Sequence, residues 1–524
     1  MSKRPSKAAP ARTAPEVQSI AFVSLGCPKN LVDSEKMLGL LAEDGIAITA
    51  DHDEADAIII NTCGFLEASK TESIEVIREA IESKLAAQSD GRKKRVIVAG
   101  CLVQRHKAQL LEAVPEVDAL VGVFDRENIV KAVRGGAYEH LPEAGRDLGS
   151  FHAVTSFISK PTKADIGKGY RESDRTRLRL TPRHYAYLRI SEGCNQGCTF
   201  CTIPSIRGRM RSKPLKDILS EAEELIADGA FELNLIGQDT TSYGEDIGFN
   251  AAGEGLVGML RGLDKMAAKN GHPWIRLMYA YPSCFTDDMI KALADCTNVL
   301  KYIDMPLQHI NDEVLFAMRR KVTRKQTETL LGKLRKWVPG ITLRTTFISG
   351  FPGESEAQHR ELLKFVQDFG FENVGIFEFS PEPGTPAGRQ HAENPVAPEV
   401  SAARKEEIML AQQKIVLAKN AALVGKTMKV LVDDSNSKKK TASARHTGQA
   451  PDIDGTVLLK KCTASPGELL TVKITDFNYY DLVAEPLESE KRETRNAKRE
   501  TGSRLSLPVI AVVSTSVENR GKHA

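Results

Sequence analysis

The chain has 524 residues, of which 41% are hydrophobic and 27% charged, a composition typical of a globular protein of about three domains. Lysine and arginine (72) exceed aspartate and glutamate (69) by only three, so the net charge does not indicate a nucleic-acid-binding protein. No apolar run reaches the roughly 18 residues that span a bilayer, and the N-terminus lacks the apolar core of a signal peptide. We therefore expect a cytoplasmic protein without a membrane partner. Nine cysteines in so long a chain do not indicate a disulfide framework.

The N-terminal part of the sequence predicts a disordered arm followed by an α/β domain. Residues 1–17 are basic and rich in Pro, Ala and Ser, which is typical of disorder, and the domain is predicted over 18–140. Asn30 is the predicted N-cap of the helix that follows the first strand. Short apolar runs predict strands over 19–27, 56–63, 95–101 and 117–123. The first three of these runs end in cysteine, at Cys27, Cys63 and Cys101.

The positions of these three cysteines predict a shared site. Strands that alternate with helices form parallel sheets, and ligands bind at the carboxyl ends of parallel strands. The three thiols should therefore converge at one edge of the sheet. Buried structural cysteines are the alternative, but three strand-end positions beside Gly or Pro favour a three-cysteine iron–sulfur site.

A polar linker and a longer domain follow. Residues 141–180 contain a charged run and predict a linker, and residues 181–420 predict six strand–helix repeats, which indicate an incomplete parallel barrel. Barrel enzymes carry their chemistry in the loops after the strands. The predicted strands are 184–190, 231–236, 274–280, 300–305, 341–348 and 371–379.

The loop after the first barrel strand contains a compact Cys-x3-Cys-x2-Cys array, formed by Cys194, Cys198 and Cys201. Four-iron clusters are normally held by four cysteine thiolates, so three thiols leave one iron open to a ligand that is not protein. A zinc site would need a fourth ligand at close spacing, and the next histidine, His272, is far downstream. The array therefore predicts an iron–sulfur cluster with a reactive iron.

The C-terminal part predicts a connecting helix, a small barrel and a tail. Residues 395–424 have a helical pattern, and residues 421–486 alternate short apolar runs with turns, as a small antiparallel β-barrel does. Residues 421–485 hold nine Lys/Arg and eight Asp/Glu, a net charge of +1, which is low for a dedicated nucleic-acid binder. Residues 487–524 form a low-complexity tail, and we assign no function to the apolar run at 507–513.

These motifs carry a family resemblance. The triplet of Cys194, Cys198 and Cys201, with Phe200 before its last cysteine, resembles the radical S-adenosylmethionine superfamily. Together with the N-terminal cysteines and a TRAM-like C-terminal barrel, it resembles the methylthiotransferases of that superfamily over about residues 18–486. The segment 24–35, Ser-Leu-Gly-Cys-Pro-Lys-Asn-Leu-Val-Asp-Ser-Glu, is similar to the RimO branch, which modifies a ribosomal protein. Further segments similar to that branch are 61–65, 180–188, 235–241, 276–282, 305–309 and 450–455.

The resemblance implies two 4Fe–4S clusters and S-adenosylmethionine as cofactors. One molecule of S-adenosylmethionine methylates a sulfur at the auxiliary cluster of Cys27, Cys63 and Cys101. A second yields a radical that abstracts hydrogen from the β-carbon of an aspartate in ribosomal protein S-twelve, free or in the subunit. Acid–base groups do not activate such a C–H bond, so no separate acid or base is assigned. A reductant such as flavodoxin or ferredoxin is the other implied partner.

The resemblance also suggests contacts to S-adenosylmethionine. The loop of Gly350, which follows the fifth barrel strand and its residue Ile348, resembles the loop that packs by the adenine. Four other candidates lie in the cluster loop or at strand ends: Phe200, Gln238, Ser283 and Gln308. The alternative is that glycine–proline loops are turns and that a lone glutamine satisfies its own loop.

Other polar and sulfur-containing residues keep open assignments. Arg207, Arg209 and Arg211 bind a carboxylate or form a solvated face. The remaining cysteines fit neither triplet and are interpreted as structural, and no histidine is assigned to a metal. These cysteines are Cys284, Cys296 and Cys462.

Two alternative functions remain at this point. A tRNA methylthiotransferase is the first, because small barrels of the C-terminal kind bind RNA in relatives, although a basic stacking surface is not obvious in this sequence and nucleic-acid contact is not expected to be primary. A two-cluster electron carrier is the second. The barrel and its cofactor-like loop argue against it, since a carrier needs neither.

Overall fold

The N-terminal sheet has six parallel strands in the order β2-β1-β3-β4-β5-β6. The computed structural model describes residues 17–135, 154–160, 173–249 and 254–487. The strands are β1 Ser19–Ser24, β2 Ala47–Ile48, β3 Ala57–Thr62, β4 Arg95–Gly100, β5 Ala119–Val121 and β6 Thr155–Phe157. The helices are α1 Pro28–Glu43, α2 Glu67–Ser89, α3 Cys101–His106, α4 Leu110–Ala113 and α5 Ile129–Arg134.

The apolar strands of this sheet supply both faces with core residues. In β3, Ile58 and Ile60 join one hydrophobic cluster, while Ala57 and Ile59 join a second cluster. Successive strand residues point to opposite faces, so an uninterrupted apolar run fills a core on each side of the sheet. The predicted parallel sheet is confirmed.

The predicted N-cap at Asn30 is wrong. Helix α1 begins at Pro28, and Cys27 is its N-cap residue. Proline suits the first helical position, because its missing N–H would have no helical partner there. The Asn30 side chain lies inside the first turn, where its amide donates to the carbonyl oxygen of Leu25 at 2.6 Å. Asn30 therefore fastens the helix to the end of β1.

The predicted linker over 141–180 contains structured residues. The short strand β6 extends the N-terminal sheet by pairing with β5 in parallel. Further along, the Leu178 amide donates to the Glu35 carbonyl oxygen in α1. Both segments therefore pack on the N-terminal sheet domain.

The central part is an open sheet of six parallel strands in the order β14-β13-β12-β11-β10-β7, so β7 and β14 form its two edges. This arrangement confirms the six predicted strand–helix repeats. The sheet strands are β7 Tyr185–Arg189, β10 Glu232–Ile236, β11 Trp274–Leu277, β12 Val299–Asp304, β13 Thr342–Ser349 and β14 Asn373–Glu378. Strands β8 Ser191–Glu192 and β9 Arg211–Ser212 form a separate hairpin around the cysteine triplet. The helices are α6 Ile203–Ile206, α7 Leu215–Ala227, α8 Gly255–Lys269, α9 Asp287–Asp295, α10 Asp312–Ala317, α11 Arg324–Trp337, α12 Glu356–Phe369, α13 Pro386–Glu393 and α14 Pro398–Ala421.

The C-terminal part is a closed five-stranded barrel in the order β15-β16-β17-β19-β18. The predicted barrel is confirmed, with one difference: β17 and β19 pair in parallel, which closes the barrel, whereas its other pairs are antiparallel. Helix α14 is the predicted connector. The strands are β15 Thr427–Asn436, β16 Thr441–His446, β17 Val457–Lys460, β18 Leu469–Asn478 and β19 Asp481–Pro486.

Glu232 joins the C-terminal barrel to the central sheet. This carboxylate has 0% exposure and accepts hydrogen bonds from Arg276 at 2.7 Å and from Arg445 at 2.6 Å. Burial alone would raise the pKa of the Glu232 carboxyl, but the two guanidinium groups outweigh it and hold the pKa below its ordinary value. Arg445 also pairs with Asp433 in β15. The C-terminal barrel is therefore fixed to the sheet by a buried ionic network.

Replacing Glu232 with alanine is expected to lower the free energy of unfolding by about 3–5 kcal/mol, because two buried guanidinium groups lose a shared partner. Urea unfolding followed by circular dichroism measures this change. The control is Asp288→Ala, which breaks an exposed pair with Lys291 and should leave the unfolding midpoint unchanged. Equal midpoints for Glu232→Ala and the unmodified protein would contradict the structural role of the network.

Three further predictions concern the ends of the chain and the membrane. The disordered arm and the low-complexity tail lie outside the described residues, except for Val17 at the start and Leu487 at the end. The apolar run at 507–513 lies outside them as well. Among the helices described, none has the length and apolar character required to cross a bilayer.

Candidate active site

Three cysteines lie at the carboxyl edge of the N-terminal sheet, as the sequence predicts. Cys63 directly follows β3, Cys101 directly follows β4, and Cys27 lies three residues beyond the end of β1. The strand ends are aligned, since Ser24 pairs with Asn61 and Thr62 pairs with Gly100. Parallel pairing in this register brings the three loops to one edge of the sheet.

The turn that carries Cys27 approaches the Cys63 loop closely. Gly26 has a positive φ of 92°, and a Cβ atom at this position would lie 2.8 Å from the Cβ atom of Cys63. Glycine is needed for both reasons, since L-residues rarely adopt this conformation and a side chain would clash. The Gly-Cys pair therefore lets two thiol-bearing loops meet.

The ionisation of these thiols shows that they interact. The pKa of the Cys63 thiol is raised mainly by burial and further by the neighbouring Cys27. The pKa of Cys101 rises to about 12, because burial disfavours its thiolate; Arg207 opposes this shift, and Cys63 and Cys27 add to it. Cys27 and Cys63 thus lie close enough to the Cys101 thiol to form one group with it, and Arg207 is a cation beside that group.

The second group of cysteines lies in the loop between β8 and α6. The Cys194 amide donates to the Gly208 carbonyl oxygen at 3.2 Å, and the Cys201 amide donates to the Cys198 carbonyl oxygen at 3.2 Å. The backbone N–H of Gln196 donates to the Cys194 sulfur, with 3.4 Å between nitrogen and sulfur. Backbone hydrogen bonds thus fold the triplet into a compact loop.

Burial also raises the pKa of two of the three thiols in this loop. It raises the pKa of Cys194 to about 11 and that of Cys201 to about 12, and in both cases Cys198 raises the pKa further. Backbone N–H groups of Gln196 and Ile203 partly offset these shifts. The sulfurs of this loop, like those of the first group, are close enough to affect one another.

Neither cysteine group converges on a single point. Within the described ranges, no three His, Cys, Asp or Glu side chains are arranged to hold one metal ion. A cubane cluster does not require such convergence, because each thiolate binds a different iron at a separate corner. All nine cysteines are free thiols, so both groups retain the donors that a cluster needs.

A buried ionic network lies between the two cysteine groups. Arg207 donates to Asp33 of α1 at 3.0 Å, to Glu192 of β8 at 3.0 Å and to the Cys101 sulfur at 3.2 Å. Arg189 of β7 pairs with the same two carboxylates, at 2.6 Å and 2.8 Å. Burial raises the pKa of a lone carboxyl, but Arg207 and Arg189 hold the pKa of Glu192 well below its ordinary value. The network connects Cys101 with the strand that leads to Cys194. The sequence predicts that Arg207 either binds a carboxylate or lies on a solvated face, and the structure shows it bound to carboxylates.

Three of the predicted cofactor contacts lie in two loops that pack together: Phe200 in the triplet loop, and Ile348 and Gly350 at the end of β13 and just after it. Phe200 packs against a small hydrophobic cluster that contains Ile348 and Phe351. Gly350 has a φ of +74°, its amide donates to Glu354 at 2.6 Å, and a Cβ atom there would lie 1.8 Å from the Ser401 hydroxyl oxygen. The loop after β13 is therefore tightly held against α14. Its contact with S-adenosylmethionine stays a prediction.

The predicted contact Gln238 has protein partners. Its side-chain oxygen accepts from the Gly193 amide at 2.8 Å, and its amide nitrogen donates to Glu192 at 2.6 Å. Gln238 thus braces the residue that precedes Cys194. Binding of S-adenosylmethionine by this side chain stays a prediction.

Gln308 and Ser283 occupy the loops after β12 and β11. The Gln308 backbone has a φ of +75° and forms a bridge to Phe347 of β13, which fixes this loop to the neighbouring strand. Ser283 is exposed, and its hydroxyl lies 3.7 Å from the sulfur of Cys284. Their contacts with S-adenosylmethionine stay predictions as well.

Sequence reasoning missed three residues near the cysteines. Arg320 points its guanidinium at the Cys198 sulfur, 3.5 Å away, and the Tyr281 hydroxyl lies 3.7 Å from the same sulfur. The Lys29 ammonium lies 2.9 Å from the ring centroid of Tyr279, and burial is the main reason why its pKa falls to about 8. Lys29 stands two residues after Cys27 and Tyr281 four residues after β11, so both carry a local signal, whereas Arg320 follows helix α10 and nothing nearby in the sequence marks it.

Profile comparisons divide the chain as the fold does. Residues 19–122 match the uncharacterized protein family UPF0004, residues 188–366 match the Radical SAM superfamily, and residues 424–487 match the TRAM domain. The first match lies within the parallel sheet domain and ends before β6, the second lies within the open six-stranded sheet and ends before β14, and the third spans the closed barrel.

Whole-chain relatives decide the family. The chain is 42% identical over 471 residues to "Ribosomal protein uS12 methylthiotransferase RimO" of Bdellovibrio bacteriovorus, a match that covers 89% of this chain and 97% of the relative. It is 40% identical over 469 residues to the protein of the same name from Geobacter sulfurreducens, covering 89% and 98%. The chain belongs to the RimO family. Radical SAM membership implies S-adenosylmethionine and a four-iron cluster as cofactors of this family member.

A solved structure supports the fold. The radical S-adenosylmethionine methyltransferase TsrM from Kitasatospora setae aligns with a TM-score of 0.51 over 72% of this chain and 78% of that chain, at 16% identity. This similarity concerns architecture alone. It shows that this RimO family member shares its fold with that methyltransferase over the aligned part.

Proposed function

We propose that this protein transfers a methylthio group to the β-carbon of an aspartate in ribosomal protein uS12. Identity of about 40% over nine-tenths of the chain to uS12 methylthiotransferases carries the choice of substrate. The two cysteine groups, joined by the Arg207 network, carry the chemistry.

Each cysteine group has the donor set of a four-iron cluster with one open iron. Three thiols stand at each place, and their loops are held by close backbone contacts. Cys194, Cys198 and Cys201 would hold the cluster that S-adenosylmethionine approaches, and Cys27, Cys63 and Cys101 would hold the auxiliary cluster. When bound, the first cluster would pass on the electron that cleaves S-adenosylmethionine, received from an external donor, and the auxiliary cluster would hold the sulfur that is inserted.

The protein's own residues orient and shield these sites. Gly26 permits the contact between the loops of Cys27 and Cys63, while Gln238 braces the residue before Cys194. Phe200, which lies within the triplet loop, packs on the apolar cluster around Ile348, and this apolar side would keep water from the bound groups. These residues would hold a reactive radical precursor away from solvent.

The C-terminal barrel supports the protein substrate over tRNA. Arg445, the arginine of β16, is buried and occupied by Glu232 and Asp433, so it does not offer a contact to phosphate. The nearly balanced charge of this barrel gives no strong attraction to RNA. An external one-electron donor such as flavodoxin or ferredoxin completes the proposal.

Single-turnover transfer by the purified protein tests this function. The protein is reconstituted with iron and sulfide, then supplied with S-adenosylmethionine, dithionite and either uS12 or bulk tRNA. We expect one peptide of uS12 to gain a methylthio group on an aspartate, detected by tandem mass spectrometry, and tRNA nucleosides to stay unchanged. Methylthiolated nucleosides with unchanged uS12 would instead establish the tRNA function.

A further inference from the structure

Each proposed cluster site has one buried arginine that donates to a cysteine sulfur. At the N-terminal site this arginine is Arg207, which is 1% exposed. One of its terminal nitrogens lies 3.2 Å from the Cys101 sulfur. At the second site this arginine is Arg320, which is 4% exposed. One of its terminal nitrogens lies 3.5 Å from the Cys198 sulfur. We propose that these two arginines are positioning residues that set the reduction potentials of the two clusters separately. This inference rests on the cluster sites of the proposed function.

The orientation of Arg207 is fixed by other partners. One terminal nitrogen donates to Glu192, and the other donates to both Asp33 and the sulfur. The planar guanidinium is a rigid fork, so the two carboxylates determine where its remaining N–H points. The remaining N–H points at the Cys101 sulfur.

Arg320 is oriented by a different set of contacts. Its second terminal nitrogen donates to the Pro306 carbonyl oxygen, and its guanidinium lies 4.2 Å from the ring centroid of Tyr281. The Tyr281 hydroxyl donates in turn to the Arg320 carbonyl oxygen at 3.0 Å. Each arginine thus donates to a sulfur of one group, Arg207 to Cys101 and Arg320 to Cys198, although Glu192, a partner of Arg207, lies two residues before Cys194.

A donor of this kind favours the reduced cluster. One-electron reduction adds a negative charge that spreads over the cluster and its thiolates, and no bond is broken. A positively charged N–H group beside a ligand sulfur stabilises that extra charge, and low surrounding polarity strengthens the effect. Removing the donor should therefore lower the reduction potential of its own cluster.

The test measures each cluster by itself in the full-length chain. Cys194, Cys198 and Cys201 are replaced together by alanine to leave the auxiliary cluster, and in a second protein Cys27, Cys63 and Cys101 are replaced to leave the other. Midpoint potentials come from redox titration followed by electron paramagnetic resonance. Iron and sulfide content shows that each cluster is assembled.

In the protein with only the auxiliary cluster, Arg207→Gln is expected to reduce the equilibrium constant for one-electron reduction at least tenfold, which corresponds to 59 mV. Arg320→Gln, the matched control, should leave this potential unchanged. In the protein that keeps only the cluster of Cys194, Cys198 and Cys201, Arg320→Gln should lower the potential and Arg207→Gln should leave it unchanged. Arg207→Lys keeps the charge that Asp33 and Glu192 require but loses the fork, so it should shift the potential in the same direction by less.

The outcomes separate this inference from the proposed function. If a single-group protein binds no cluster, the proposed cluster site is wrong and the inference fails with it. If clusters assemble but the potentials are unchanged, or if both arginines shift both clusters equally, the inference alone is overturned. If Arg207→Gln does not fold, an unshifted potential in Arg207→Lys overturns it.

Discussion

Replacing Cys198 with alanine is expected to abolish formation of 5′-deoxyadenosine from S-adenosylmethionine. Two thiols would remain of a donor set that already lacks a fourth cysteine, so the cluster should be lost or left unable to deliver an electron. Uncatalysed cleavage is negligible, and the rate should therefore fall at least a thousandfold, to the background of the assay. Liquid chromatography of quenched reactions with dithionite measures the product.

Cys462→Ala is the control for this experiment. Cys462 is buried in the core of the C-terminal barrel, away from both cysteine groups, so its replacement tests the loss of a thiol as such. This variant should release 5′-deoxyadenosine at the normal rate. Undiminished 5′-deoxyadenosine release by Cys198→Ala would refute the assignment of the triplet to the radical chemistry.

Replacing Cys63 with alanine is expected to separate the two halves of the reaction. The Cys194 triplet is untouched, so S-adenosylmethionine should still be cleaved. Sulfur insertion should be lost, because the auxiliary site keeps only Cys27 and Cys101. Alanine retains the Cβ atom of Cys63 that already fits beside Gly26 and adds no atom to this close contact, so the fold should persist.

Two measurements on the same reaction check the Cys63 prediction. The 5′-deoxyadenosine yield should stay within about twofold of normal, while methylthiolated uS12 peptide should fall below detection by mass spectrometry. Cys296→Ala, a change in the hydrophobic core of the central sheet, should keep both products. Full methylthiolation by Cys63→Ala would show that the reaction does not depend on an auxiliary cluster held by Cys63.

The strands and their cysteine ends are predictable from the sequence because their signal is local. The run predicted as a strand over 56–63 is observed as Ala57–Thr62, and the run over 95–101 is observed as Arg95–Gly100, each followed directly by its cysteine. Parallel pairing then places Cys63 and Cys101 at one edge without further information. The cysteine groups themselves, the cofactor contacts and the domain boundaries at 18–140, 181–420 and 421–486 stay predictions.

The features that were missed depend on partners distant in sequence or on competing local signals. The Asn30 prediction followed the N-cap preference of asparagine, but Pro28 at the first helical position sets the helix start instead. Strand β6 is three residues long in a polar region, too short to give a pattern. Arg207 looked as much like a solvated residue as a paired one, because its partner Asp33 is 174 positions away.

Modification of uS12 by this protein can be measured in cells that carry its gene and in otherwise identical cells that lack it. Peptide mass spectrometry of uS12 should find a methylthio-aspartate only where the gene is present, and nucleoside analysis of tRNA should find no difference. Restoring the gene should restore the modification, whereas the Cys63→Ala gene should not. An aspartate of uS12 that stays unmodified in both strains, together with a methylthio-nucleoside lost from tRNA, would show that the protein modifies tRNA and not uS12.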